Sequence, residues 1–326
     1  MAACAHTITM RVGLFAETGS DCAELLCGED FESQDDDSIG CIAHVEFPIE
    51  SDESIAGFLV SESIYLPGLD YPERLRTRRS VDPTTRSDSV SWILKVNNYY
   101  RFQAVTAYLA VNYMDRFLSS HDLPADKWAL QLLSVACLSL AAKMEETLVP
   151  SLLDLQVEGT RFIFEPKTIR RMEFLVLTAL KWRLRSITPF TFIDFFAYKA
   201  DSSGKHIRNL VSHASQIILD LIHDIDFLDH CPSSMAAAAI LTSASHHHSP
   251  LLQFITPQIA SSWCIGLSEN GISKCYKLMQ QKAVRSVQRK HPIIVSHLTT
   301  APTSELDANI SSSPSPPSKR RKLHQT

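Results

Sequence analysis

Apolar side chains in the middle of this chain recur at helical spacing, in two successive runs of similar order. Asp82-Pro83 reads as a helix start, an acidic cap followed by proline at the first helical position. The residues past it, Trp92, Ile93, Leu94 and Val96, predict a helix continuing to about Tyr99. A second helix is predicted from Gln103 to Ser119, where Val105, Tyr108, Leu109 and Tyr113, with Phe117 beyond, include the i, i+3, i+4 spacing of a buried stripe. After a loop with Pro124, Lys127–Glu145 is apolar nearly all round, through Trp128, Leu130, Leu132, Leu133, Val135, Leu138 and Leu140. A helix hydrophobic on every side belongs in the middle of a bundle. Pro150 introduces a short fourth helix reaching Val157, and Glu165-Pro166 opens a fifth that continues to Trp182 or Leu184.

Ser186-Ile187-Thr188-Pro189 marks a restart. Beyond it the pattern predicts helices over Phe190–Tyr198, His206–His223, Ser233–Ser245, Thr256–Gly266 and Ser268–Arg289. The third carries Met235 to Leu241, rich in small residues that let helices approach closely. No strand-like alternation of useful length appears. The expected fold is all-α: two tandem five-helix units, over residues 81–187 and 188–292, flanked by end segments, 1–80 and 293–326, predicted to be largely disordered. Within the first flank, Phe58–Arg79 is mixed enough to supply a short helix packed onto the next domain.

Charge changes the picture at the two ends. The whole chain has a formal net charge of -5, which argues against direct nucleic-acid binding. From Val12 to Glu73 there are sixteen acidic residues and no Lys or Arg, whereas Lys319-Arg320-Arg321-Lys322 closes the tail. The acidic arm carries Leu25-Leu26-Cys27-Gly28-Glu29, an L-x-C-x-E peptide. In an extended peptide Leu25, Cys27 and Glu29 point one way, two small anchors and a carboxylate offered to a groove. The basic cluster follows Ser313-Pro314 and Ser315-Pro316 and reads as a nuclear-import patch beside candidate proline-directed phosphorylation sites at Ser313 and Ser315. Eight scattered cysteines without a C-x-x-C fit reduced thiols, not a disulfide or zinc framework. Met1–Met10 lacks a signal-peptide pattern, and Trp128–Ala142 is too short to span a membrane.

Enzyme chemistry finds no support in the motifs: there is no phosphate-cradling G-x-x-x-x-G-K, no H-E-x-x-H and no G-x-S-x-G. Three consecutive histidines, His246-His247-His248, cannot all face one ion on a helix, so a polar loop is the better reading. Asp35-Asp36-Asp37 lacks the glycine turn and later glutamate of a calcium loop. No metal or cofactor is expected.

The first helical unit resembles a cyclin box. Tyr108 to Ser119 (YLAVNYMDRFLS) is similar to its second helix, Leu130-Gln131-Leu132 and Leu138 to Glu146 (LSLAAKMEE) to its third, and Arg171 to Leu177 (RMEFLVL) to its fifth. With the L-x-C-x-E peptide, the resemblance narrows to a D-type cyclin. The long acidic arm, Trp92-Ile93-Leu94-Lys95-Val96 and the Ser-Pro tail ending in basic residues resemble the plant branch.

That resemblance implies a non-catalytic regulatory subunit of a cyclin-dependent kinase. Lys143 and Glu173 correspond to the charged pair that reaches the kinase, the lysine toward backbone carbonyls near its C helix and the glutamate toward backbone N–H groups. Leu132 and Glu146 fall on the same kinase-binding surface. Arg86 and Asp115 match a structural ion pair tying the first helix to the second. Leu25, Cys27 and Glu29 would dock a retinoblastoma-related pocket protein, and kinase-inhibitor proteins are further implied partners. The family's hydrophobic docking patch is reduced here: its M-R-A-I-L run, which begins seven residues before Trp92, reads Thr85-Arg86-Ser87-Asp88-Ser89 and keeps the arginine and the tryptophan while losing the apolar residues. The expected location is nuclear, with a cytoplasmic pool. The rival reading, a cyclin-fold transcription-factor module without a kinase partner, should bring a zinc ribbon and a basic core, and the sequence shows neither.

Overall fold

A computed structural model describes residues 51–290 apart from 80, 125, 157–161, 247–251 and 253. The L-x-C-x-E residues Leu25, Cys27 and Glu29, the basic cluster Lys319–Lys322, and Ser313 and Ser315 lie outside the described residues. Among those described, every regular element is helical.

The described residues include part of the segment read as an acidic arm. Helix α1 (Asp52–Ser61) starts on a Ser51 cap whose Oγ accepts from Ser54 N at 3.2 Å, and α2 (Tyr71–Arg76) follows a short 3-10 turn over Glu62–Tyr65. The short helix expected within Phe58–Arg79 is α2, packed on the first unit, whereas the expectation of disorder is corrected for Asp52–Ser61, which is helical. A few apolar side chains are decisive: Ile55 is fully buried in the second unit's core, and Tyr71 and Leu75 in the first. An acidic composition conceals anchors like these, because one or two buried side chains per helix hold it by tertiary contact rather than by propensity.

The first unit follows, with α3 (Pro83–Tyr100), α4 (Ala104–Ser120), α5 (Lys127–Glu145) and α6 (Pro166–Ala179). In α5 every residue from Leu132 to Ala142 is buried, as its all-round apolar sequence predicts. Two expectations fail here. The fourth helix is only a 3-10 turn over Asp154–Gln156, because the Gln156 amide takes over local backbone bonding. Its Nε2 donates to Leu152 O and Phe164 O, and its Oε1 accepts from Phe164 N at 2.7 Å. The fifth helix stops at Ala179 instead of running to Trp182 or Leu184, since Lys181 and Trp182 adopt left-handed φ of 53° and 61°.

The second unit contains α7 (Phe190–Ala200), α8 (Ile207–Leu221), α9 (Pro232–Ser245), α10 (Pro257–Ser261) and α11 (Glu269–Lys290). Helix α10 is much shorter than the predicted Thr256–Gly266. The small residues Ala236–Ala239 of α9 are completely buried, and Gly271 lets α11 come so close that an added Cβ would lie 2.5 Å from Ser234 Oγ. The start of α9 is held from the amino-terminal side: Glu62 accepts from Ser233 N at 2.8 Å and Ser233 Oγ at 2.7 Å. This carboxylate satisfies helix-end donors that would otherwise be buried without partners.

One polar node joins the two units. Arg86 donates from Nε and Nη2 to the two oxygens of Asp115 at 2.8 and 2.7 Å, and from Nη1 to His223 O at 3.1 Å. Tyr71 Oη donates to Asp115 at 2.9 Å. Arg86 and Asp115 are each 1% exposed, so this is a desolvated pair whose hydrogen-bonding capacity is met on several sides. Burial opposes the Arg86 charge, but the Asp115 carboxylate outweighs it and raises the guanidinium's pKa.

Candidate functional site

The last turn of α5 and the middle of α6 present the charged pair singled out in the sequence. Glu173 falls at the i+4 position of the stripe Ile169, Met172 and Val176, where an apolar residue would suit the helix better. It is consequently almost buried, with its side chain 8% exposed. Lys143 ends a helix that is otherwise sunk in the core, and its ammonium lies 2.7 Å from Glu173 Oε1 with the side chain 44% exposed. A cation in the last turn of a helix is also favoured by the helix dipole.

Exposed apolar side chains occur on the elements that carry this pair and on the segment between them. On the segment joining α5 to α6, Leu148 and Ile163 are 84% and 79% exposed, and Leu153 is also open to solvent. On α6 and its terminating turn, Phe174 and Leu175 are exposed, and Trp182 stands against Phe174 edge-to-face at 6.5 Å between ring centroids. Sequence reasoning missed all of these. The available signal was apolar residues out of helical register, such as Leu148-Val149 directly before Pro150 and Phe174-Leu175 beside the buried stripe. Exposed apolar side chains on elements that also carry a desolvated charge fit an interaction surface.

The other predicted positions separate by role. Leu132 is buried within the first core. Glu146 turns inward: its Oε1 accepts from Gln103 N at 2.8 Å and from Thr106 Oγ1 at 2.5 Å, capping the start of α4. Trp92 is half-buried against the first core, while Asp88 is exposed and Ser89 and Ser91 bond back to the α3 carbonyls of Thr85 and Ser87. His246 is exposed and meets His213 edge-to-face at 5.7 Å; His247 and His248 lie outside the described residues. Among the described residues no group of three or more His, Cys, Asp or Glu could hold a metal ion, and no helix is long and apolar enough to cross a membrane.

Residues 54–185 match the family model for the cyclin N-terminal domain, and residues 187–313 match that for the cyclin C-terminal domain. Cyclin-D2-1 of Oryza sativa subsp. japonica is 56% identical over 284 residues, covering 82% of this chain and 86% of its own length. Cyclin-D1-1 of Arabidopsis thaliana is 48% identical over 311 residues, covering 92% of this chain and 90% of its own. The chain belongs to the plant D-type cyclins. The fold of this D-type cyclin is also similar to that of a viral cyclin from herpesvirus saimiri, with a TM-score of 0.54 at 16% identity over 64% of this chain and 87% of the viral one. As a cyclin it is a regulatory subunit of a cyclin-dependent kinase. The cyclin N-terminal match begins at residue 54, inside α1, in keeping with Ile55 being part of the folded core.

Proposed function

We propose that this D-type cyclin binds its kinase through the Lys143–Glu173 face and activates it while presenting a retinoblastoma-related protein as substrate. The observation that carries the reading is the nearly buried Glu173 paired to the half-exposed Lys143, on elements that also carry exposed apolar side chains. An ammonium offers three donors for backbone carbonyls, and a carboxylate accepts from backbone N–H groups. Together they can grip a partner's helix end without reading its side chains. Leu148, Ile163 and Trp182 would supply the apolar contact. Seated there, the kinase's C helix is held inward, which completes the Lys–Glu pair that positions ATP.

The arm works by tethering. Leu25, Cys27 and Glu29 bind the pocket protein as an extended peptide, so its phosphorylation sites are delivered at a raised local concentration. Phosphorylated pocket protein would then release the factors that start DNA replication and cell division. Kinase-inhibitor proteins are further partners, and Lys319–Lys322 directs the cyclin to the nucleus, beside the phosphorylation sites Ser313 and Ser315.

Co-purification with a cyclin-dependent kinase and an assay on a pocket-protein fragment test both halves. Lys143→Ala with Glu173→Ala should abolish kinase activation. Cys27→Gly with Glu29→Ala should leave activity on a short generic peptide intact and lower the rate on the pocket protein. Full activity from both variants would refute the reading.

A further inference from the structure

A cleft of about 780 Å³ lies between the two units, on ground that the kinase face does not use. The start of α3 closes one side, with Pro83, Thr84 and Ser87, and Arg76 of α2, helices α8, α9 and α11 and the segment His223–Asp226 form the rest. Its floor is apolar, from Ile217, Leu221, Ile225 and Met279. Its rim is acidic. Asp224 and Asp226 are engaged by Lys282, and Arg76 reaches Asp226 at 3.5 Å and Asp229 at 3.2 Å. Those two cations therefore already serve three carboxylates. Asp220 is exposed and accepts from Gln216 Nε2 at 2.8 Å, and among the described residues it is paired with no Lys or Arg, its basic neighbours being His213 and His223. Burial holds His213 and His223 below the usual imidazole range, so neither adds positive charge to the rim at neutral pH. An apolar floor under surplus negative charge fits a short segment with several cations next to an aliphatic side chain.

This chain contains such a segment. Lys319-Arg320-Arg321-Lys322 is followed directly by Leu323. The cleft is lined by Met279 and Lys282 of α11, whose last residue, Lys290, precedes Lys319 by 29 positions. A chain of that length spans up to about 100 Å when extended, against roughly 12 Å along α11 from Lys282 to Lys290. Reach is therefore not limiting, and a segment of the same chain competes as an intramolecular ligand, for which a flexible tether of this length gives an effective concentration of the order of millimolar.

We propose that the cleft between the two units holds this cyclin's own carboxyl-terminal segment, with the basic cluster on the Asp220 rim and Leu323 on the apolar floor. The docking stands on the cleft alone. Its consequence, that a docked cluster is hidden from import receptors, rests on reading Lys319–Lys322 as an import patch. Phosphate on Ser313 or Ser315 would compete with the rim carboxylates for the same cations and release the segment.

The test uses the full chain and a fluorescein-labelled synthetic peptide of residues 313–326. A chain with Lys319, Arg320, Arg321 and Lys322 all replaced by Ala has lost its internal competitor and should bind the peptide about tenfold more tightly than the wild type. That is the factor expected for a roughly 100 µM site facing a millimolar internal competitor. Adding Asp220→Lys, a change at an exposed position, should remove the gain. Equal binding by the wild type and the alanine variant would overturn occupation by the chain's own segment. Undiminished binding after Asp220→Lys would overturn the cleft as the site. Wild-type protein that self-associates with rising concentration in light scattering, while the alanine variant stays monomeric, would place the segment in a second copy and overturn the intramolecular form.

Discussion

Lys143 and Glu173 satisfy each other in the free protein, Nζ to Oε1 at 2.7 Å, although each is proposed to contact the kinase backbone. Docking therefore exchanges one set of charge-assisted hydrogen bonds for another. Loss of either residue should weaken kinase binding by at least about tenfold, or roughly 1.4 kcal/mol, because the remaining charge enters the interface without its neighbour. The two substitutions should also be strongly non-additive, the double variant losing much less than the sum of the singles. Calorimetric titration of the kinase into the four forms measures the coupling. Additive losses would mean that the two side chains act independently.

Arg86 and Asp115 call for a different experiment, since both are sequestered and neither faces a partner. Asp115→Ala leaves a buried guanidinium with only the Tyr71 hydroxyl and backbone carbonyls for company, and should cost about 3–5 kcal/mol in denaturant unfolding. Asp115→Asn keeps the shape and loses the charge, so it should fall between wild type and Ala. Because Arg86 also donates to His223 O, the defect should loosen the join between the two units as well as the first unit itself. Amide exchange should accordingly rise at the end of α8 as well as in α3 and α4.

Most of the helical plan was legible because long apolar periods survive inspection: α5 occupies Lys127–Glu145 as predicted, and α3, α4 and α9 fall within a residue or so of their expected ends. Boundaries failed where a side chain or a single backbone angle decides them. Gln156 replaces a fourth helix by bonding to Leu152 O and Phe164 O, and left-handed Lys181 and Trp182 end α6 early. The site was legible only as a pair of charges. Glu173 betrays itself by interrupting an apolar stripe, but exposure at Leu148, Ile163 or Trp182 exists only once the chain is folded. The capping of Gln103 N by Glu146 was not legible for the same reason, since it depends on how α5 ends beside α4.

The stretch from Asp52 to Arg76 yields a prediction that acidic composition would not suggest. Ile55→Ala should destabilise the second unit by about 2–5 kcal/mol, the usual cost of truncating a fully buried aliphatic side chain. Glu62→Ala should cost about 1–3 kcal/mol by leaving the Ser233 amide and hydroxyl at the start of α9 without an acceptor. Urea unfolding of the full chain measures both. Wild-type stability in the two variants would return this segment to the status of a loosely attached arm.

Stability should fall on mild acidification, and His223 gives the sign. Burial first, and then the Arg86 guanidinium, hold its imidazole below the ordinary value near 6.5; Asp220 and the Ser87 contact pull weakly the other way. His230 is lowered as well, again mainly by burial, with Lys274 adding to it and Asp229 and Asp226 opposing. A base whose pKa is depressed in the folded state binds its proton more readily once unfolded. The stabilisation is thus complete above about pH 6.5 and is lost as the pH falls through the lower folded value. The midpoint of thermal unfolding should hold steady from pH 8 to pH 7 and then decline toward pH 5. His223→Gln, which cannot take up the proton and can keep a polar contact with Ser87, should flatten that decline. A profile for His223→Gln that falls as steeply as the wild type's would assign the acid sensitivity to other groups, with His230→Gln the next variant to measure.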